Sequence, residues 1–293
     1  MMRFLFVDRI LELSRGEFVR GVKHIGPQDP YLCYDQQGKL CFIPSLVGEA
    51  LGQLAAWNVM EANGFTMRPV AGIASCARLI RPTYVGETLL LESFIDRLDE
   101  TVVQYHSVAS VGSEVVFTLD GALGPLLPMD NFIDRKLVTQ QFNDINHPGE
   151  WPPIAVDRHD TLPDNFVPNL VPFVFDRIIA SEPGVGLSAE MKCNPLAPYF
   201  PDHFPRKPVL PMTVLLESKI NLAHEFLELS SFSKQYKVYE LRKIKMKDFI
   251  LPGDVVTCHL TVKSHEENKL VLNFRSEVAG KLICVLDLVM VLS

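Results

Sequence analysis

The sequence VDRIL at residues 7–11 returns as FDRII at residues 175–179, a shift of 168 positions. The same shift pairs DPYL at 29–32 with APYF at 197–200, and farther on a shift of 167 aligns Gly86 with Gly253. Such self-similarity predicts a duplicated domain. In the first register the residues of the first copy that are identical in the second are Asp8, Arg9, Ile10, Gly16, Pro27, Pro30, Tyr31, Lys39, Glu49, Leu54 and Ala55.

The repeat predicts a first domain over residues 1–139 and a second over residues 170–293. The segment 140–169 between them has few apolar runs and several prolines, which is typical of a linker. A linker of this length lets the second copy lie beside the first, as a partner subunit would. The prolines of this segment are Pro148, Pro152, Pro153, Pro163 and Pro168.

Each copy shows the same order of predicted elements. FLFV at 4–7 and PFVF at 172–175 predict opening strands, and a helix follows Pro44 in the first copy and Met212 in the second. The β-rich runs after each helix are separated by short glycine turns, which predict antiparallel hairpins. The predicted fold class is therefore α+β, with one central helix and one antiparallel sheet in each copy.

The first helix is unusual in carrying small residues on nearly all its sides. Gly48, Gly52 and Ala56 lie among its apolar residues, which predicts a helix closely enclosed by other elements. Glu49 stands in this small and apolar stretch and is therefore a candidate functional residue. The alternative is that Glu49 caps the helix or pairs with an arginine.

The composition excludes several classes of function. Hydrophobic residues make up 47% and charged residues 22%, as in a globular protein, and the net charge of −7 disfavours a nucleic-acid partner. Six cysteines without metal-ligand spacing predict reduced thiols in a cytoplasmic protein and no metal site. Asp8, Arg9 and Glu12 interrupt the apolar N-terminus, so we expect no targeting segment or membrane span.

The second copy contains the stretch PYFPDHFPRKPVLPMTVLLE at residues 198–217. It resembles the motif of the 3-hydroxyacyl-acyl carrier protein dehydratase family, in which a curved sheet wraps around one long helix in the hot-dog fold. The resemblance implies two tandem hot-dog domains, a double hot-dog. The motif positions present in this sequence are His203, Phe204, Pro205, Pro208, Pro211 and Glu217.

The two copies differ at the positions that carry chemistry in the family. Met212 stands where the family has a glycine whose N–H holds the thioester carbonyl, and a methionine retains that N–H. The first copy has Asp35 at the position of the histidine and Pro44, which has no N–H, at the position of the donor. Glu49, the counterpart of the acidic helix residue, is intact.

In the family the histidine and the backbone donor come from one module and the acidic residue from the other. The resemblance therefore implies one complete site formed by His203, the Met212 N–H and Glu49. The second site, formed by Asp35, Pro44 and Glu217, is expected to be inactive. On this interpretation Glu217 is a structural relic, and Asp35 is a loop residue without a role.

The resemblance implies dehydration of a 3-hydroxyacyl thioester, carried by acyl carrier protein or by coenzyme A. His203 would be the base for the C2 proton, and Glu49 the acid for the C3 hydroxyl, directly or through a water. The Met212 N–H would stabilise enolate-like charge on the carbonyl. No cofactor is expected. Two fused hot-dogs already form the family's minimal dimer, so we expect a pseudo-dimer within one chain, with larger assemblies still open.

Basic residues are concentrated in the second copy of this acidic protein. They are interpreted either as solvated strand faces or as a docking patch for an acidic carrier protein or coenzyme A phosphates. These residues are Arg206, Lys207, Arg242, Lys243, Lys245 and Lys247.

Two other functions remain as alternatives at this point. Hot-dog thioesterases share the fold but usually rely on a helix carboxylate without the histidine and proline motif, so His203 with Pro208 and Pro211 favours the lyase. A non-catalytic module that binds acyl chains or a synthase partner is the third interpretation, because Met212 replaces the family's glycine and the second site is degraded.

Overall fold

The computed structural model describes residues 3–151, 167–168, 170–230, 232 and 235–292. The first copy has one long helix within a curved antiparallel sheet, and a shorter helix follows its last strand. Its strands are β1 (Arg9–Ser14), β2 (Phe18–His24), β3 (Leu32–Tyr34), β4 (Leu40–Phe42), β5 (Met67–Pro69), β6 (Ile73–Leu79), β7 (Thr88–Leu98), β8 (Val102–Val111) and β9 (Glu114–Pro128). Its helices are α1 (Pro44–Ala62) and α2 (Arg135–Ile145).

The second copy repeats this arrangement around its own long helix, α3 (Met212–Leu229). Its strands are β10 (Arg177–Glu182), β11 (Gly186–Lys192), β12 (Tyr236–Met246), β13 (Val255–Glu266), β14 (Lys269–Val278) and β15 (Lys281–Leu292). The strands β1 and β10 begin at positions separated by the shift of 168 found in the sequence, and β7 and β13 begin at positions separated by 167. The structure therefore follows the register of the sequence repeat.

The two copies share one continuous sheet with the order β1-β2-β7-β8-β9-β6-β12-β15-β14-β13-β11-β10, and β5 pairs with β9 beside it. Strands β6 and β12 join the two halves in antiparallel pairing, with Leu241 opposite Ala77. From this junction outward, the first copy has the order β6-β9-β8-β7-β2-β1 and the second copy has the order β12-β15-β14-β13-β11-β10. Equivalent strands of the two copies therefore follow in the same order on both sides. Helix α1 also packs against α3, so the copies are related as the subunits of a dimer would be.

Both central helices begin at a position where the sequence favours a helix start. Pro44 is the first residue of α1, where its missing N–H costs nothing, and Met212 follows Pro211 at the start of α3. Leu46, Leu51 and Leu54 of α1 are fully buried. The predicted enclosure of this helix is confirmed: the sheet wraps it on one side and α3 covers it on another.

The predicted opening strands are wrong. Residues 4–7 and 172–175 have no strand structure, and the first strands begin only at Arg9 and Arg177. In residues 4–7 the reason is that side chains, and not a neighbouring strand, accept the hydrogen bonds of the Phe4 and Phe6 amides. The Phe4 amide donates to Asp202 at 2.8 Å and the Phe6 amide to Gln53 at 2.9 Å. The rings of Phe4 and Phe6 are both buried, which accounts for the need for apolar residues in this segment.

Helix α2 crosses the predicted domain boundary at residue 139. Asp134 caps it by accepting bonds from the amides of Lys136 and Leu137, and Val138 and Phe142 are buried beneath it. Residues 152–166 and 169 of the predicted linker lie outside the described residues, so the extent of the linker stays a prediction.

Candidate active site

A cavity of about 330 Å³ lies between the two copies. One wall is the face of α1 that carries Gly48, Glu49 and Gly52. The facing wall is formed by the loop before α3, which contains His203, and by the first turn of that helix, which begins with Met212. The three predicted site residues His203, Glu49 and Met212 therefore border one space, to which each copy contributes.

His203 is held in a fixed orientation by its own loop. Its Nδ1 lies 3.2 Å from the carbonyl oxygen of Val209, and a carbonyl only accepts, so Nδ1 carries the proton. The ring stacks on Phe204 at a centroid distance of 4.2 Å and meets the edge of Phe4 at 5.7 Å. Phe204 has a φ of 61°, which is rare for a residue with a side chain and marks a constrained turn beside the histidine.

The proton on Nδ1 leaves the lone pair of Nε2 free in the neutral imidazole. The pKa of His203 is lowered to about 3, chiefly by burial and then by the charge of Arg68, while the bond to Val209 acts in the opposite direction. The imidazole is therefore neutral near pH 7. This is the protonation state that a general base requires.

The Glu49 carboxyl is held by donors from both copies. Thr213 Oγ1 on α3 donates to Oε2 at 2.6 Å, and Gln53 Nε2 on α1 donates to Oε1 at 3.0 Å. Burial raises the pKa of Glu49 above its ordinary value, although the bonds from Thr213 and Gln53 and the charge of Arg68 act to lower it. A carboxyl with raised proton affinity suits the role of a general acid.

Met212 is the first residue of α3 and borders the cavity. Amides in the first turn of a helix have no acceptor within the helix, and they lie at the positive end of its dipole. Pro44 occupies the same place on α1 and has no N–H. Of the two central helices, only α3 therefore offers an amide at its first position for a developing oxyanion.

Asp35, the counterpart of His203, lies in the turn between β3 and β4. Its carboxylate accepts bonds from the amides of Gln37 at 2.9 Å and Lys39 at 2.8 Å and from the hydroxyl of Tyr84 at 3.1 Å. Burial is the largest single effect and raises the pKa of Asp35, but the bonds from Lys39, Gln37 and Tyr84 and the charge of Lys39 together outweigh it, so the pKa lies below its ordinary value. The carboxylate stabilises its own turn, in keeping with the interpretation of Asp35 as a loop residue.

Glu217 mirrors Glu49 without facing the cavity. Its Oε2 accepts a bond of 3.2 Å from the amide of Ser45, and burial raises its pKa. The cavity is bordered by none of Asp35, Pro44 and Glu217. The structure thus brings the three residues of the predicted complete site together at one cavity and leaves the three of the predicted inactive site outside it.

The cavity residues that were not predicted from the sequence include Phe4, Arg68 and Tyr105. Phe4 belongs to a stretch interpreted as a strand, and Arg68 and Tyr105 lie on β5 and β8, away from any motif. No local pattern could identify them, because Arg68 and Tyr105 reach the cavity through the pairing of distant strands and Phe4 reaches it through a segment outside the sheet.

Several side chains of the predicted basic patch pair with carboxylates or lie over an aromatic ring, so fewer of its positive charges are unpaired than the sequence suggests. Arg206 bonds to Asp134 at 3.1 Å, and Arg242 makes two bonds to Glu240, at 2.6 and 2.8 Å. Lys207 lies over the ring of Phe249 at 4.3 Å. Lys243 lies at the 4.0 Å limit of an ion pair with Asp287, and Lys243, Lys245 and Lys247 are exposed. Lys247 also borders the cavity.

The described residues contain no group of three or more His, Cys, Asp or Glu side chains arranged to hold a metal ion. None of the helices in the described part of the chain has the length and apolar content needed to cross a bilayer.

Solved structures with the same fold include both lyases and esterases. A MaoC-like dehydratase superimposes with a TM-score of 0.56 and 11% identity, over 94% of this chain and 98% of that chain. An acyl-ACP thioesterase from Bacteroides thetaiotaomicron superimposes with a TM-score of 0.54 and 10% identity, over 93% and 97%. At these identities the comparisons establish the fold: the chain is a double hot-dog protein.

Sequence comparison identifies the family. Residues 181–285 match the model of the ApeI-like family, described as ApeI dehydratase. The 3-hydroxyacyl-(acyl-carrier-protein) dehydratase FabZ of Caldanaerobacter subterraneus is 34% identical over 125 residues, which cover 40% of this chain and 84% of the relative. FabZ of Escherichia coli is 31% identical over 117 residues, covering 39% and 77%. The chain belongs to the FabZ-like dehydratase family of hot-dog proteins.

Proposed function

We propose that the protein removes water from 3-hydroxyacyl thioesters to give trans-2-enoyl thioesters, or adds water in the reverse direction. The observation that supports this is the position of His203 and Glu49 at one cavity, each from a different copy. One group can accept a proton and the other can donate one, as the loss of a C2 proton and a C3 hydroxyl requires.

The proposed reaction follows from the protonation states of these two groups. Nε2 of His203 takes the C2 proton, and the electrons of the C2–H bond form the double bond to C3. Glu49 transfers its proton to the C3 hydroxyl, which leaves as water. The amide of Met212 donates to the thioester carbonyl while negative charge develops on its oxygen. The reverse sequence of transfers hydrates the enoyl thioester.

The remaining functional assignments are part of the same proposal. The acyl group arrives as a thioester of acyl carrier protein or coenzyme A, in fatty-acid or polyketide-type synthesis in the cytoplasm. The exposed Lys245 and Lys247, together with Lys207, would contact the acidic carrier near the cavity. One chain supplies both halves of the site, so a second chain is not needed for activity.

The test is an assay with a 3-hydroxyacyl thioester and its enoyl counterpart, followed by double-bond absorbance and by free thiol. The wild type is expected to interconvert the two without releasing thiol. His203→Ala should lose at least about 100-fold in kcat, whereas Asp35→Ala, its counterpart in the first copy, should retain wild-type activity. Release of thiol would indicate a thioesterase, and silence in both assays would indicate a binding module.

A further inference from the structure

Arg68 is a cation inside the predominantly apolar cavity, and the proposed reaction leaves it without a role. It lies on β5 and borders the cavity beside Val70. Its guanidinium lies 4.7 Å from the centroid of the Phe204 ring, which in turn stacks on His203. The first copy therefore places a positive group next to the histidine loop of the second copy.

The Nε of Arg68 has no hydrogen-bond partner among the described residues. This nitrogen is buried, whereas the guanidinium as a whole lies over the ring of Phe204. A buried donor without an acceptor is costly, so native proteins rarely leave one unpaired. Other arginines of the same chain do bind carboxylates, as the half-buried Arg78 does with Asp120 at 3.1 Å. Arg68 therefore offers a bound molecule a charged donor that the described protein atoms leave unused.

The charge of Arg68 acts on both proposed reacting groups. It lowers the pKa of His203, after the larger effect of burial, and it opposes the effect of burial on the pKa of Glu49. Burial lowers the pKa of Arg68 itself to about 10, so it remains a cation near pH 7. A substrate atom between His203 and Glu49 therefore lies in the field of this guanidinium.

We propose that Arg68 is a substrate-binding residue whose Nε–H donates a hydrogen bond to an oxygen of the 3-hydroxyacyl thioester. The inference rests on the proposed function for the identity of that substrate. The substrate has two oxygens near the reacting carbons, the thioester carbonyl and the C3 hydroxyl. Either would satisfy the buried donor, and both would bind more tightly to a charged donor than to a neutral one.

The test measures binding rather than turnover. The probes are the stable amide analogue of a 3-hydroxyacyl pantetheine and its 3-deoxy counterpart, at the chain length that the wild type binds most tightly. Arg68→Met should weaken the 3-hydroxy probe by about 10- to 100-fold, as expected for a lost hydrogen bond to a charged group. Equal losses for both probes would assign the bond to the carbonyl, and a loss for the 3-hydroxy probe alone would assign it to the hydroxyl.

Unchanged affinity of Arg68→Met for both probes would overturn the proposal, because water alone would then satisfy the donor. The matched control is Arg78→Met, which removes a half-buried arginine that is paired with Asp120 and does not border the cavity, and should leave both affinities unchanged. Arg68→Lys retains the charge, and together with thermal unfolding of each variant it separates lost contact from lost fold. If the probes bind through Arg68 but the wild type does not interconvert the thioesters, the proposed function fails and the binding role of Arg68 stands.

Discussion

Thr213 Oγ1 lies 2.6 Å from Glu49 Oε2, and the two residues belong to different copies of the repeat. The equivalent pair on the other side of the pseudo-twofold axis is Ser45, whose amide bonds to Glu217 Oε2 at 3.2 Å. Each central helix thus holds the acidic residue of the other with its first turn. The symmetry of the duplication persists in this hydrogen bond, although only one side retains the histidine.

Replacing Thr213 with valine tests this contact. Without the hydroxyl the carboxyl of Glu49 loses one of its two orienting donors, and kcat should fall about 10-fold. The lost donor had lowered the pKa of Glu49, so the pKa should rise. Since the proposed acid is active when protonated, the fall of activity at high pH should move to higher pH in a kcat profile. Thr139→Val on α2 is the control, and a profile that moves to lower pH would contradict the assignment.

The pH dependence of stability should report the burial of His203. Its pKa is about 3 in the folded chain and about 6.5 as the ordinary value, so the unfolded chain binds the extra proton first. Stability therefore falls as pH falls from 6.5 towards 3. The free energy of unfolding should fall less between pH 7 and pH 4.5 in His203→Gln than in the wild type, by about 1–3 kcal/mol, measured by denaturant unfolding. The same acid sensitivity in variant and wild type would show that the imidazole is not buried in its neutral form.

The glycines of α1 should set the length of acyl chain that the cavity accepts. A Cβ at Gly52 would lie 3.5 Å from the Tyr105 hydroxyl, an ordinary contact, so Gly52→Ala should fold normally. Gly52→Leu would place three more carbons in the space beside Tyr105. We expect kcat/KM to fall at least about 10-fold for a ten-carbon substrate and little for a four-carbon one. Equal losses at both lengths would argue against an acyl channel at this position.

The buried Lys219 should be a source of instability in the second copy. Its side chain is fully buried, its Nζ lies 3.1 Å from Cys284 Sγ, and no carboxylate pairs with it in the described part of the chain. The equivalent residue of the first copy is Leu51. Lys219→Met should raise the free energy of unfolding by about 1–3 kcal/mol, measured by urea denaturation. The exposed Lys243→Met should change it by less than about 0.5 kcal/mol, and a destabilised Lys219→Met would show that the ammonium has an unrecognised partner.

Much of the fold could be predicted from the sequence because the repeat and the turn residues are local signals. The helix starts at Pro44 and Met212 and the hairpins after each helix follow directly from residue type and spacing. The prediction of opening strands was wrong because an apolar run such as 4–7 has the same composition whether it pairs with a strand or covers a cavity. Only the tertiary partner, here Asp202, decides between the two.

The candidate site was predictable only in part. His203 and Glu49 have recognisable sequence contexts, and the repeat register relates each of them to its counterpart. Arg68 has no such context, since it enters the cavity through the pairing of β5 with β9. The carboxylate partners of Arg206 and Arg242 were likewise not apparent, because ion pairing depends on contacts that composition does not specify.

The central claim is that one active site uses the acidic residue of the first copy and the histidine of the second. The most direct measurement compares kcat of Glu49→Gln with kcat of Glu217→Gln in the thioester interconversion assay, since both changes are isosteric and occupy equivalent positions. We expect a loss of at least about 100-fold for Glu49→Gln and less than about twofold for Glu217→Gln. Similar losses in both variants, or a larger loss in Glu217→Gln, would contradict it.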